Sequence, residues 1–394
     1  MAFILLMGFS SGLPLMLTGS TLQAWMKSEN IDLAVIGLYS LVGLPYALKF
    51  LWAPFMDRYV PPFLGRRRGW MLICQLALVL TIALMALLSP KREPVMTALL
   101  AVAVAFFSAS QDIVVDAYKP DLLSEKEFGF GAALSTMGYR IAILFSGALA
   151  LVLADYFPWR TVYLLMAMAM GVGICSSFFA PEPEKILSPR TMKDAIVLPF
   201  VEFFKRRGAV EVLIFIVLYK LDVVMATALT TPFMLELGFT KTDIGTVTKF
   251  FGFFASIAGT LVGGAWMMKL GLRKSLLYFG LAQGISNLSF MWLAHVGHNY
   301  SMMVSAIAIE NFCSGMGLSA FAAFMMSLCD RRFTATQFAL LTSLMALTRV
   351  VASAPTGFMV KAMGWESFFL FCTLLAAPGL LLLMRYNRWE QRTA

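Results

Sequence analysis

Long apolar runs separated by short polar turns dominate the 394-residue sequence. About 20 apolar residues suffice to cross a bilayer as a helix. Twelve such runs are predicted, over residues 2–25, 32–55, 70–90, 95–118, 128–153, 159–180, 209–235, 242–268, 272–294, 299–326, 335–358 and 365–385. Several contain Gly and Pro, which membrane helices tolerate better than soluble ones. The pattern predicts an all-α integral membrane protein with twelve transmembrane helices. The first run has no Lys or Arg before Lys27 and exceeds the length of a signal-peptide core, so it is expected to stay in the mature chain.

The longest polar stretch, PEPEKILSPRTMKDAIVLPFVEFFKRRG, divides the spans six and six. The organisation expected is an N-terminal six-helix bundle over 1–180, a connector over 181–208 and a C-terminal bundle over 209–394. Within the connector, MKDAIVLPFVEFFKRR reads as a basic amphipathic helix lying on the cytoplasmic face. The segments after even-numbered spans, among them DRYVPPFLGRRRGW and DRRFTATQ, hold most of the Lys and Arg outside the spans. The odd-numbered connections hold only Lys27, Lys91, Arg92, Arg160, Lys241 and Lys361. The positive-inside rule then puts both termini in the cytoplasm.

Composition sharpens this picture. The chain is 60% hydrophobic and 13% charged, far below the roughly 25% charged residues of soluble domains. The net charge of +9 follows from the topology, so nucleic acid is not an expected partner. Five cysteines (Cys74, Cys175, Cys313, Cys329, Cys372) show no paired spacing, and neither disulfides nor a zinc site is expected. His295 and His298 have metal-like spacing but sit in a short turn with no Cys or acid nearby, so no metal is assigned. The phosphate-loop pattern is absent, which disfavours an ATP-driven pump. No cofactor is expected.

Nine ionisable residues fall inside the predicted spans: Lys49, Asp112, Asp116, Arg140, Lys220, Asp222, Lys249, Glu310 and Arg349. Such residues are costly in lipid and mark a solute or proton pathway by default. Asp112 and Asp116, in SASQDIVVDAYKPDLL, share a helix face with Ser108. A carboxylate caught between burial and a nearby cation can load and release a proton, which makes both acids candidates for proton coupling. Asp116, near the helix end, could instead pair with Arg66, Arg67 or Arg68 as a closure clamp. Lys249 lies in a stripe of small residues (Gly245, Gly252, Ser256, Gly259, Gly263) that suits either helix packing or a ligand wall. Lys220 and Asp222 are two apart and face different directions. Glu310 and Asn311 open a polar patch with Ser314, Gly315 and Gly317.

An internal repeat supports the two halves. DRYVPPFLGRRRGW follows the second span and GGAWMMKLGLRKSL the eighth. The second copy resembles the loop signature of the major facilitator superfamily: Gly264, Lys269, Gly271, Arg273 and Lys274 match, while Met268 replaces the usual acid. The first copy keeps Asp57, Arg58, Gly65, Arg66 and Arg67. These residues are the candidate gating loop, and the resemblance implies the major facilitator fold. More widely, SLVGLPYALKFLWAPFMDRY, FLGRRRGWMLICQ, SASQDIVVDAYKPDLL, GYRIAILFSGALALVLAD, LYKLDVVMATALTTPF, ENFCSGMGLSAFAAFMMSLCD and FTATQFALLTSL resemble the AmpG-type muropeptide permeases over nearly the whole chain.

That resemblance implies a multi-pass inner-membrane permease of Gram-negative bacteria rather than an enzyme. It would import N-acetylglucosaminyl-anhydro-N-acetylmuramyl peptides by proton symport, for wall recycling and, where present, β-lactamase induction. The partners implied are the muropeptide, protons and membrane lipid, with the protein a monomer. It also marks Gln111 as a cavity residue and Asp112 and Asp116 as proton-coupling acids. Sugar hydroxyls would meet Gln23, Gln111, Tyr139 and Asn311, and substrate carboxylates Arg140, Lys220, Lys249 and Arg349; Lys49, Asp222 and Glu310 complete the expected cavity. Pro120 stands where a threonine is common. Members often continue past a twelfth span, so a trimmed form of a longer chain is expected. The rival readings are a transporter of another anionic metabolite such as a CoA ester, an intramembrane enzyme, and a sensor of wall fragments.

Overall fold

The computed structural model describes residues 1–31, 39–183, 189, 191–206, 208–353, 355–386 and 389, without the side chains of Ser40, Lys241, Thr242, Lys249 and Val350. Helices and their connections account for these residues, and no strand occurs among them. Among the described residues, ten helices are long and apolar enough to cross a membrane, where the hydropathy pattern predicts twelve spans. Residues 272–294 do form one helix, Leu272–Val296, but Arg273, Lys274, Gln283 and Asn287 dilute its apolar character. The expected span 32–55 is described only in part. Its first seven residues lie outside the described ones, and from Tyr39 the chain runs as short pieces: Tyr39–Gly43 (3₁₀), Leu44–Leu48 (α), Lys49–Leu51 (3₁₀) and Ala53–Arg58 (α). Pro45 and Pro54 sit at the starts of the two α pieces, where a missing N–H is least costly and continuation from the preceding turn is blocked.

Two compact units emerge. The first comprises Met1–Leu123, Leu134–Pro199 and Cys329–Ser343. In it, the Ala2–Thr18 helix and the Phe128–Leu144 helix meet backbone to backbone. A Cβ on Gly8 would lie 2.2 Å from the Ser135 carbonyl oxygen, and one on Gly138 would lie 2.0 Å from that of Leu5. Only glycine permits this approach, which small residues provide between membrane helices. Leu13, Leu17, Trp25, Met85, Tyr163 and Met166 fill the adjoining core.

The second unit comprises Ser124–Ala133, Phe200–Leu328 and Leu344–Ala394. Its central pair is Gly252–Leu270 against Tyr300–Leu328. The predicted small-residue stripe is the packing face: Cβ atoms on Gly259 and Gly263 would fall 2.0 Å from the Phe312 oxygen and 2.7 Å from the Met316 Cα. Phe233, Phe290, Trp365 and Phe369 interlock by tilted, edge-on and stacked contacts in the same unit. Each unit also contains a π-helical segment, Phe145–Leu149 and Gly245–Phe251.

Of the connector, residues 184–188, 190 and 207 lie outside the described ones. Met192–Phe204 is a helix. It starts on a reciprocal cap, with the Thr191 N–H on the Asp194 carboxylate and the Asp194 N–H on the Thr191 hydroxyl.

Candidate functional site

The Pro94–Leu122 helix carries Asp112 and Asp116 one turn apart. Its 29 residues correspond to about 43 Å of rise, more than the roughly 30 Å of a bilayer's apolar core. Asp112 accepts a hydrogen bond from the Ser11 hydroxyl of the Ala2–Thr18 helix. Asp116 pairs with Lys119 at 2.8 Å and with Lys49 at 3.6 Å. Lys49 opens the 3₁₀ turn between two short α pieces, so the broken second segment is what delivers this cation. The Lys119 ammonium also lies 5.7 Å over the Phe338 ring. Asp116 keeps 23% side-chain exposure while both lysines are near 10% or below. Tyr46 and Ser108, flanking the acids, have buried hydroxyls.

Gln111 precedes Asp112 on the same helix. It is fully buried and donates to the Ser10 hydroxyl at 3.0 Å. Gln111 and Asp112 thus both reach the Ala2–Thr18 helix, at the adjacent hydroxyls of Ser10 and Ser11.

The basic loop forms a second cluster in the same unit. Gly65 adopts φ +79° and precedes the Arg66–Ala86 helix. The Glu182 carboxylate accepts from the backbone N–H groups of Arg67 (3.0 Å) and Arg68 (3.1 Å), two of the donors that a helix start leaves unpaired. Arg67, 1% exposed, holds Asp121 at 2.6 Å and Asp57 at 3.2 Å. Arg66 reaches Asp121 at 3.4 Å and the Arg331 carbonyl at 3.1 Å. The two acids also hold the start of the Thr334–Ser353 helix. Asp57 accepts from the Thr336 N–H and hydroxyl, both at 2.8 Å, and from the Ala335 N–H at 3.3 Å. Asp121 accepts from the Thr334 hydroxyl at 2.6 Å.

The alternative of Asp116 as clamp for the arginines is thereby corrected. Asp121, in the final turn of the same helix, takes that part because it lies closer to the loop. Arg68 instead donates to the carbonyls of Ser177 and Phe178. Arg58 is half-buried over the Tyr59 ring at 5.5 Å.

The second unit has its own buried polar chain. Gln283 bridges Lys220 and Asp222: it accepts from the Lys220 ammonium at 2.9 Å and donates to Asp222 at 3.2 Å. Lys220 lies 5.8 Å over both the Tyr219 and Phe321 rings. Glu310 is 5% exposed. Asn311 donates to the Ile307 carbonyl of its own helix. Asn287, one turn from Gln283, is fully buried with its amide oxygen and nitrogen both unpartnered among the described residues.

The remaining candidates are dispersed. Gln23 and Arg349 are exposed, Tyr139 and Arg140 half-buried, and the Lys249 side chain lies outside the described residues. Lys269, Arg273 and Lys274 are exposed around Gly271, whose φ of +77° matches that of Gly65 in the first copy.

Residue reasoning missed Ser11, Lys119, Asp121, Glu182 and Gln283. Lys119 and Asp121 were visible as polar residues within a turn or so of Asp116 on one helix, and Gln283 as a large amide in an apolar run. Nothing local in the sequence points to Ser11 or Glu182, whose partners lie about 100 residues away. No group of three or more His, Cys, Asp or Glu suited to a metal occurs among the described residues.

The profile of the Major Facilitator Superfamily matches residues 4–353 and 212–393. The anhydromuropeptide permease of Escherichia coli K12 is 49% identical over 386 residues, covering 97% of this chain and 79% of that protein. Among solved structures, the proton:xylose symporter XylE superposes with TM-score 0.69 at 11% identity, covering 98% of this chain and 94% of that one. The human organic anion transporter MFSD10 gives 0.61 at 18%, covering 97% and 96%. These two likenesses carry the fold alone. With the relative's identity extending over nearly the whole chain, the protein belongs to the major facilitator superfamily and, within it, to the AmpG-type anhydromuropeptide permeases.

Proposed function

We propose that this multi-pass inner-membrane permease imports anhydromuropeptides for wall recycling by proton symport, with two six-helix halves alternating access and both termini in the cytoplasm. The chain is a transporter rather than an enzyme. Its likeness to a named anhydromuropeptide permease supports the substrate class. For the coupling, the supporting observation is the pair Asp112 and Asp116 with Lys49 and Lys119 beside it.

A carboxylate between buried surroundings and movable lysines changes its proton affinity when those lysines shift. Protons entering down a potential gain about 2.3 kcal/mol per charge per 100 mV, which offsets the entry of an anionic substrate against it. In this reading Lys220, Asp222, Lys249, Glu310, Asn311 and Arg349 in the second half contact the substrate, as do Gln23, Tyr139 and Arg140 in the first. The Asp57–Arg67–Asp121 cluster holds the residues 329–343 segment as a cytoplasmic latch, with Arg58, Lys269, Arg273 and Lys274 at the two loop copies.

The test is uptake of labelled muropeptide into liposomes with and without an inward proton gradient, on wild type, Asp112→Asn and Asp116→Asn. Coupling through Asp112 requires that its Asn variant lose gradient-driven accumulation and keep substrate exchange. Equal wild-type uptake with and without the gradient overturns the symport reading.

A further inference from the structure

The second unit contains a cavity of about 550 Å³ at the ends of the Gly252–Leu270 and Tyr300–Leu328 helices. Its volume falls in the range of small-molecule sites. Lys126, Arg206 and Lys269 line it, with Glu125 as the acid among the described lining residues. Phe324, Tyr386 and Trp389 supply aromatic walls. Low-dielectric walls around an excess of positive charge focus the field onto whatever enters.

Comparison of the two loop copies gives this cavity its meaning. In the first copy the chain supplies its own anions: Asp57 and Asp121 on the arginines, and Glu182 on the start of the following helix. In the second copy Met268 occupies the place of Asp57, and it lines the cavity next to Lys269. Lys269 is kept, and the position before it carries no charge. The same corner is where two candidate spans end, at Leu270 and Leu328, so it lies at the level where lipid headgroups meet water. Basic pockets between membrane helices on the cytoplasmic side bind phosphate headgroups.

We propose that this cavity binds a phosphate-bearing anion, the role that Asp57 and Asp121 fill in the first half. An acidic phospholipid headgroup and a soluble phosphate share the chemistry, and the lipid source rests on the cytoplasmic placement proposed above. Loss of proton coupling in the uptake test leaves this site untouched, because the assay below measures binding alone.

The experiment uses the full chain. Wild type is exchanged into nanodiscs holding equal phosphatidylglycerol and phosphatidylcholine, and the co-purifying lipid is counted by native mass spectrometry. Thermal stability is measured in parallel with each lipid and with millimolar inorganic phosphate. One phosphatidylglycerol retained in preference to phosphatidylcholine is expected, with that preference falling about fivefold for each of Lys126→Gln and Lys269→Gln. Equal melting temperatures of the variants in phosphatidylcholine alone establish that they are folded. Protection by inorganic phosphate without a lipid preference, lost in the variants, keeps the site and assigns it a soluble ligand. Equal retention of both lipids by wild type together with no protection by phosphate overturns the proposal, as does a preference that the two substitutions leave unchanged.

Discussion

Removing the Asp57 carboxylate tests the latch most directly. The group is fully buried and accepts from Arg67, the Ala335 N–H, and the Thr336 N–H and hydroxyl. Asp57→Ala strands a 1%-exposed guanidinium with one carboxylate fewer and opens the start of the Thr334–Ser353 helix. Breaking a buried pair costs about 3–5 kcal/mol, and at 1.4 kcal/mol per decade this shifts the docked-to-released ratio by roughly two to three and a half decades.

Asp57→Asn keeps an acceptor and loses the charge. The weaker hydrogen bonds and the lost helix-end attraction together cost about 1–2 kcal/mol, near one decade. The readout is maleimide labelling of Cys329, 6% exposed at the start of the held segment, resolved by peptide mass spectrometry from Cys74, 2% exposed in the Arg66–Ala86 helix. Where reclosing outpaces labelling, the rate follows the released population. Cys329 should react at least a hundredfold faster in Asp57→Ala and about tenfold faster in Asp57→Asn, with Cys74 unchanged. A Cys329 rate within threefold of wild type in Asp57→Ala refutes the latch, and Cys74 rising in step shows general unfolding instead.

Two further outcomes follow from the packing. Gln283→Leu leaves Lys220 and Asp222 without their bridge, and should lower thermal stability by about 2–4 kcal/mol with substrate affinity falling alongside; Gln283→Glu, which can still accept from Lys220, should recover more of the binding than Leu. Gly138→Ala pushes a methyl to within 2.0 Å of the Leu5 carbonyl oxygen and should destabilise by at least about 1–3 kcal/mol, measured as a drop in melting temperature, whereas Gly43→Ala, with nothing within 4 Å, should not.

Legibility in the sequence followed the range of the interaction. Apolar runs announce helices because each run carries its own evidence, and the Gly252–Gly263 stripe displayed its packing face by local spacing. The interruptions of the second span were not legible, because hydropathy ignores that Pro45 and Pro54 restart the backbone and that Lys49 uses a turn to reach Asp116. The loop acids were half-seen: Asp57 lies inside its motif, but Asp121 and Glu182 reach the loop only through folding.

The Lys49–Asp116–Lys119 arrangement with Asp112 has a consequence for the return stroke of the transporter. Two lysines and two aspartates sum to zero when all are ionised. An unloaded carrier with such a cluster moves no net charge there, so the membrane voltage neither drives nor opposes its resetting. Taking up one proton leaves a single positive charge, which an anionic solute then cancels. Linkage makes this reciprocal: the bound anion tightens the hold on the proton by the same factor. The proposed cargo and its proton would therefore each favour the binding of the other, and the loaded carrier would again cross electrically silent at this cluster.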